Sequence, residues 1–357
     1  MPRLLAFSLA ALVLGWRADR TRAADPGYPP DPPPVWPSDP GNDRSGHFDG
    51  GAGIYLLKPY LGGNPALTAT QSASMLGTAG TVKTTNSAAV AEFQYDASVS
   101  PRLWLGYTSA TGLGGRVSWW HFDQSAQQIQ LLNTPPASVG VTGFPANVNT
   151  VSSQAPLPGL GITSALPAGA GAERLSASSN LRLDQGEVAA TENLQVGTVA
   201  LLLSGGVQYL SMAQHYQVSR AADGSLEMLA YRHVFTGFGP VIAIEGRQSL
   251  GDTGLSFFSN AELSGLYGTS REQGFQAGVP SAAIPATAFN QVVDGHDHLI
   301  GFAEVQIGAE WAGAVGPARV FVQPALVGMV YSNAGTASET GGDIGFLGLS
   351  LTAGIHF

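Results

Sequence analysis

Two groups of side chains in this sequence could do chemistry. The first is a set of charges: Arg102, Arg116, Arg182, Asp184, Glu245, Arg247, Glu262, Glu304 and Glu310. Each sits in a run where apolar and polar residues alternate. Successive side chains of a strand point to opposite faces, so the apolar neighbours put these charges together on the other face, an interior. An isolated ion there is too costly to persist unpaired. The set therefore either closes into a ladder of salt bridges and hydrogen bonds, or lines a hydrated path as a ring that selects ions. The residues leave both readings open.

The second group is imidazole and carboxylate. His121-Phe122-Asp123 ends one alternating run, and Asp294-Gly295-His296-Asp297-His298 precedes another. His296 and His298 carry metal-ligand chemistry, but two neighbouring histidines rarely make a site by themselves. His121 and Asp294 could activate a water as in a rim hydrolase, yet no distinctive active-site pattern surrounds them. Gly112-Leu113-Gly114-Gly115 is turn and close strand packing, because no helix follows to make it a phosphate loop. The expectation is no catalytic residue, no metal and no cofactor, hence not an enzyme.

The elements that must hold these residues are strands. Ten are expected, near 48–60, 93–108, 112–123, 176–190, 196–216, 226–247, 255–268, 298–312, 319–331 and 343–357. The fourth is the least regular: Leu181 and Leu183 alternate with Arg182 and Asp184, which are assigned inward, and Gly186 then breaks the phase, as at a bulge. Connections alternate without exception. The long ones follow odd strands, and the short ones are Ser109–Thr111, Thr191–Gln195, Gln248–Gly254 and Gly313–Ala318. One side facing the exterior and the other the periplasm produces that alternation. Tyr107, Trp119, Tyr209, Tyr267 and Trp311 fall toward expected strand ends, as a membrane-interface girdle requires.

The last strand is the clearest. Leu347, Leu349, Leu351, Ala353, Ile355 and Phe357 form one wholly apolar face, opposite Gly348, Ser350, Thr352, Gly354 and His356. In a transmembrane barrel the apolar face meets lipid, and closure removes the sheet edge. Phe357, with Ile355 two places before it, is similar to the assembly signal of bacterial outer-membrane barrels. It makes outer-membrane lipid and the barrel assembly machinery the expected partners.

Composition agrees. Charged residues are 11% of 357, against about 25% in soluble domains, yet no stretch after the leader is apolar for the length of a membrane helix. The net charge of −9 excludes nucleic acid, which needs basic stripes, and the absence of Cys excludes disulfides and thiolate metal sites. Residues 1–23 read as a signal peptide: Arg3, then an apolar centre from Leu4 to Leu14 too short to span. Residues 24–46 read as a proline-rich periplasmic linker, open to a cell-wall or periplasmic contact around Pro32-Pro33-Pro34-Val35-Trp36-Pro37. Residues 47–357 are the barrel. Residues 124–172 contain no Asp, Glu, Lys or Arg. They are read first as an irregular surface loop, with a constriction folded over the lumen and a contact surface as alternatives.

Gly51-Ala52-Gly53-Ile54-Tyr55-Leu56-Leu57-Lys58-Pro59 and Pro101-Arg102-Leu103-Trp104-Leu105-Gly106-Tyr107 carry a family likeness, as do Gly115-Arg116-Val117-Ser118-Trp119-Trp120-His121-Phe122-Asp123 and Gly237-Phe238-Gly239-Pro240. Together they resemble the outer-membrane β-barrel family related to the Legionella major outer membrane protein, in its planctomycete proline-leader form, over about 47–357. The resemblance implies an all-β transmembrane antiparallel barrel in the outer membrane and a capacity to form pores; it carries no catalytic residues across. The leading expectation is a narrow porin-like pore for ions or small polar solutes. A non-conducting structural or surface-interaction barrel with a charge-filled lumen is the alternative, and a rim hydrolase the third.

Overall fold

The computed structural model describes residues 46–76, 82–136, 148–153, 160–167, 170–222, 225–251, 253–279, 287–336 and 341–357; the segments expected to be leader and linker, but for residue 46, lie outside them. The period-two patterns become β1 (His47–Leu61), β2 (Pro65–Leu76), β3 (Val82–Glu92), β4 (Ser98–Thr108), β5 (Leu113–Ser125), β6 (Ile129–Asn133), β7 (Val148–Ser153) and β8 (Thr163–Pro167). There follow β9 (Glu173–Val196), β10 (Val199–Ala222), β11 (Ser225–Ser249), β12 (Leu255–Gly278), β13 (Thr287–Val315), β14 (Ala318–Ser332) and β15 (Ile344–His356). No helix occurs among the described residues.

Ten strands close a ring in the order β1-β4-β5-β9-β10-β11-β12-β13-β14-β15, each antiparallel to its neighbours. The closing seam is β15 on β1, in register from Asp49↔His356 to Leu61↔Ile344. The ten are those expected from the sequence. β6 pairs with the upper part of β9, beyond the end of β5. Below the ring lie the tight turns. Gly197 and Gly316 each open a two-residue connection with φ of +61° and +63°, the positive value that primed hairpin turns require and Gly supplies without strain.

Four expectations are corrected. The connection after the fifth strand, expected to be long at Gln217–Ser225, is two residues, because β10 and β11 pair through Ala222↔Ser225, so long and short connections do not alternate without exception. The connection drawn at Thr191–Gln195 is strand, because β9 pairs with β10 through Val196 and turns only at Gly197. Its polar residues lie near the lower rim, where they are not in lipid. No phase break occurs at Gly186, since the register between β9 and β10 is unbroken; a register shift falls instead between Ser270 and Glu272 on β12. Finally, β9 to β13 are 24 to 29 residues long, whereas a tilted span needs about 9–11. They project far beyond the bilayer on the side opposite the Gly197 and Gly316 turns. Trp119, Tyr209 and Tyr267 therefore mark a membrane boundary partway along their strands, while Tyr107 and Trp311 do lie near strand ends.

The projecting wall is filled from within. β2, β3, β7 and β8 form a second sheet. Its Ala66, Leu67, Val151 and Leu166, with Leu160 and Ile162 before β8, are buried at 0–8% exposure, and all but Leu166 join a core with inward Leu175, Tyr216, Val218 and Tyr231. The uncharged 124–172 segment is thus, in its described parts, an ordered cap over the mouth rather than an irregular loop. A charge at its buried positions, such as Val151, Leu160 or Ile162, would lie against leucine and tyrosine.

Outside, Leu105, Ile242 and Leu326 are 62–63% exposed, an apolar surface only lipid covers. Leu349→Arg, mid-span among Leu56 and Leu326, is expected to cost about 2–4 kcal/mol in urea unfolding from lipid vesicles. Ser350→Ala, adjacent but inward, costs less than about 1 kcal/mol; the reverse order would mean the faces are exchanged.

Candidate functional site: the layered lumen

Inward side chains fall into layers. Nearest the tight turns, Arg247 on β11 holds Glu245 at 2.6 Å and Glu310 of β13 at 2.8 Å. Arg116 of β5 reaches Glu245 at 3.7 Å, and Gln323 of β14 donates to Glu310 at 3.3 Å. Asp49 of β1 faces the same space. Trp104, Phe321 and His356 line its lower edge, the last two stacked at 5.1 Å. Charged side chains in this layer retain 10–17% exposure, so water reaches it from below.

In the next layer the acids are buried, Glu304 at 3% exposure, while Arg102 keeps 19%. Arg102 of β4 spans the lumen to Glu304 of β13 at 3.8 Å, and its guanidinium also donates to the Tyr55 hydroxyl. Tyr55 donates to Glu304 at 3.4 Å, and Gln306 donates to Tyr55 at 3.0 Å and to Glu304. Glu262 stands directly opposite Glu304 in register and accepts from Gln208 at 2.9 Å. Glu187 accepts from Ser118 at 3.4 Å. A charge-assisted network of this kind ties opposite walls together. Above it the interior turns apolar, with Leu57, Phe122, Leu183, Leu210, Met212 and Phe346 at 0–2% exposure.

At the top, polar latches hold the cap. Buried Arg220 contacts Glu227 at 3.4 Å and Glu173 at 3.8 Å and donates to the Thr163 carbonyl. Gln276 exchanges hydrogen bonds with the Gly161 backbone at 3.0 and 3.1 Å, and the Tyr216 hydroxyl donates to the Ala66 carbonyl at 2.7 Å.

Of the charges singled out in the sequence, Arg102, Arg116, Glu245, Arg247, Glu262, Glu304 and Glu310 share the lumen. Arg182 and Asp184 do not. They lie on the outer wall, where Asp184 accepts from Arg182 at 3.1 Å and contacts His121 Nδ1 at 2.7 Å, while Leu181 and Leu183 take the interior at 0% exposure. This part of β9 stands above the bilayer, so its outside is water and its inside the apolar fill. Sequence reading missed Asp49, Tyr55, Glu187 and the Arg220 latch; strand parity already places Gln208 and Gln306 inward. Strand parity carried the signal for Glu187, Arg220 and also Tyr55, which alternates with outward Ile54 and Leu56.

His121, paired with Asp184 outside, is not brought to a rim site, and the Asp294 side chain lies outside the described residues. His296 and His298 stand with ring centroids 5.7 Å apart, and His298 Nε2 contacts the Asn333 carbonyl at 2.6 Å. Among the described residues no group of three or more His, Asp or Glu side chains is arranged to hold a metal ion. Phe357 is 69% exposed at the lower rim and its amide bonds the Phe48 carbonyl at 2.9 Å; Ile355 lies on the same lipid-facing parity.

His233, inward on β11 above the bilayer, bonds the Ser270 hydroxyl. Burial, then the neighbouring His298 and His296, push its pKa down to about 4 from an ordinary 6.5. The unfolded chain therefore binds more protons between these values. This contribution is full above about pH 6.5 and declines as pH falls toward 4, by up to about 1.4 kcal/mol per pH unit. Hydrogen exchange at pH 7.5 and 4.5 is expected to show the extracellular ends of β11 and β12 loosening in acid, and His233→Gln to remove that difference. An unchanged acid response in the variant rules the assignment out.

Comparison with known proteins agrees on class. Residues 43–340 match the family described as Legionella pneumophila major outer membrane protein precursor. No curated protein matches the chain. Among solved structures, the outer membrane protease OmpT from Escherichia coli is 10% identical with a TM-score of 0.39, over 87% of this chain and 96% of that one. The toluene transporter TodX of P. putida is 8% identical with a TM-score of 0.18, over 88% and 90%. A Pseudomonas aeruginosa FadL homologue is 10% identical with a TM-score of 0.23, over 88% and 90%. Such distant likenesses carry no functional argument. The family match and the closed, lipid-faced ring agree: the chain belongs to the Legionella major outer membrane protein family and is an outer-membrane β-barrel.

Proposed function

We propose that this outer-membrane barrel is a closed one, in which a polar vestibule open toward the tight-turn side is sealed above by an apolar fill and a latched cap. Its role is then structural or surface-directed, through the wall and cap that stand above the membrane, and the reading assigns it no catalysis. One observation carries it. A water-filled bore leaves the side chains that line it accessible to solvent, whereas inward Leu57, Leu183, Leu210, Met212, Ile300 and Phe346 are at 0–2% exposure. The Arg102–Glu304–Tyr55 crossing adds to the seal, since its ions are already partnered.

A second reading, a narrow cation pathway opened by release of the cap, is favoured by the charge balance. Among the described residues Asp49, Glu187, Glu245, Glu262, Glu304 and Glu310 share the lumen with Arg102, Arg116 and Arg247. Carboxylate excess of this sign favours cations where ions pass.

Planar-bilayer recording and urea unfolding on the same preparations separate the two. The closed reading expects no single-channel steps from wild type. It also expects Arg102→Met to lose about 3 kcal/mol, because Glu304 is left buried without its cation. Reproducible wild-type steps whose cation preference falls in Glu304→Gln would overturn it in favour of the pathway.

A further inference from the structure

The outer wall above the girdle carries a feature the lumen does not use. Trp119, Gly186, Tyr209, Phe238 and Tyr267 form one continuous cross-strand row over β5, β9, β10, β11 and β12. Two residues up, the row reads His121, Asp184, Ser211, Thr236 and Thr269. Four residues up it reads Asp123, Arg182, Ala213, Val234 and Arg271, and six up it reads Ser125, Asn180, His215, Arg232 and Gln273. Arg182 and Arg271 therefore flank a shallow depression of Ser211, Ala213, Thr236 and Val234, with Arg232 above and aromatic rings below.

All three arginines are exposed. Arg182 gives its Nε to Asp184. Among the described residues Arg232 and Arg271 form no ion pair. The acids near the patch lie at its margins: Asp123, which accepts from Asn180 at 2.9 Å, Asp184, and Asp297 beside Tyr267. His215 in its middle has its pKa lowered by burial and by Arg232, so it adds no charge at neutral pH. The feature is one-sided. Near their upper ends the outer faces of β14, β15, β1 and β4 present Val330, Ser332, Leu347, Tyr60 and Val99, with Lys58 the single cation there among the described residues.

Height decides what meets this patch. Four to six residues of strand tilted about 40° rise about 10–15 Å above the aromatic row. The polar layer of a bilayer is about 5–8 Å thick on each side, and an arginine can lie back along the wall by about 6 Å. Below the row the same wall is already covered by lipid tails, so what continues upward from them is their headgroups.

We propose that the depression bounded by Arg182, Arg232 and Arg271 is a docking site for the phosphate-bearing headgroup of an outer-leaflet lipid, its acyl chains on the aromatic row below. Guanidinium forks suit phosphate oxygens, and the small residues between them leave room for the group. The site is independent of whether the lumen conducts.

The test uses the full-length barrel in nanodiscs, with native mass spectrometry counting bound lipid and thermal unfolding reporting its effect. The probes are a phosphorylated outer-membrane glycolipid and the same lipid after phosphatase treatment. Wild type is expected to retain the phosphorylated lipid at least tenfold more tightly than the dephosphorylated one. The triple variant R182Q/R232Q/R271Q loses that preference, and Lys58→Gln on the opposite wall keeps it. Heat-modifiable migration checks that the variants fold; if the triple variant does not, R232Q/R271Q is expected to show at least a fivefold loss. Inorganic phosphate at millimolar concentration is expected not to displace the lipid. Equal retention of both lipids by wild type, unchanged preference in the folded variant, or full displacement by inorganic phosphate each overturns the proposal.

Discussion

Lipid offers no hydrogen bonds, so every backbone N–H and C=O within the bilayer must find its partner inside the protein. The seam between β15 and β1 meets that requirement for the whole ring, joining residues nearly 300 positions apart in sequence through thirteen consecutive register pairs. Everything else about the wall follows from closure. Once there is no edge, each residue has only two places to point, and the identity of each face is set by what lies on that side. Gly348 shows how tightly the seam is drawn, because a Cβ there would meet the Leu56 carbonyl across it.

What lies on each side changes with height, and this limits how far strand parity can be read. Within the bilayer apolar means outward, and the rule places Leu299, Ala303, Val305 and Ile307 against lipid, with Glu304 and Gln306 inside. Above the aromatic row water replaces lipid outside, and the cap replaces the polar network inside. The same alternation then carries the opposite meaning. Leu181 and Leu183 are interior while Arg182 and Asp184 are exterior, on a strand whose register never slips. Reading polar as inward along all of β9 forces a phase break at Gly186 that the chain does not contain. The strands and their order were legible because the period of two survives the change of surroundings. The sign of the pattern was not, because it depends on a boundary marked only by Tyr209, Phe238 and Tyr267 in neighbouring strands.

The cap was illegible for a related reason. Its segments are short, their apolar residues are scattered among Ser, Thr, Ala and Pro, and their partners lie on strands distant in sequence. Ile162 is wholly buried, yet no local periodicity announces it. The one usable signal was negative: a surface loop tolerates charge, and 124–172 has none. Absence of charge over such a length fits burial better than solvent.

The lumen then sorts itself by the cost of its ions. Charges nearest the open lower mouth keep partial hydration and satisfy one another in a chain from Arg116 to Gln323. The acids a layer higher are buried, and each has a specific donor: Arg102, itself 19% exposed, and Tyr55 for Glu304, Gln208 for Glu262, Ser118 for Glu187. Higher still, the inward charges are Glu272, buried beside His233, and then Arg220, which is embedded between Glu173 and Glu227 and reaches the cap backbone. Paired buried charge is thus spent at two heights, once to cross-tie the walls and once to fasten the cap. A continuous aqueous path needs the opposite arrangement, with polar groups at every height and none of them committed to a neighbour.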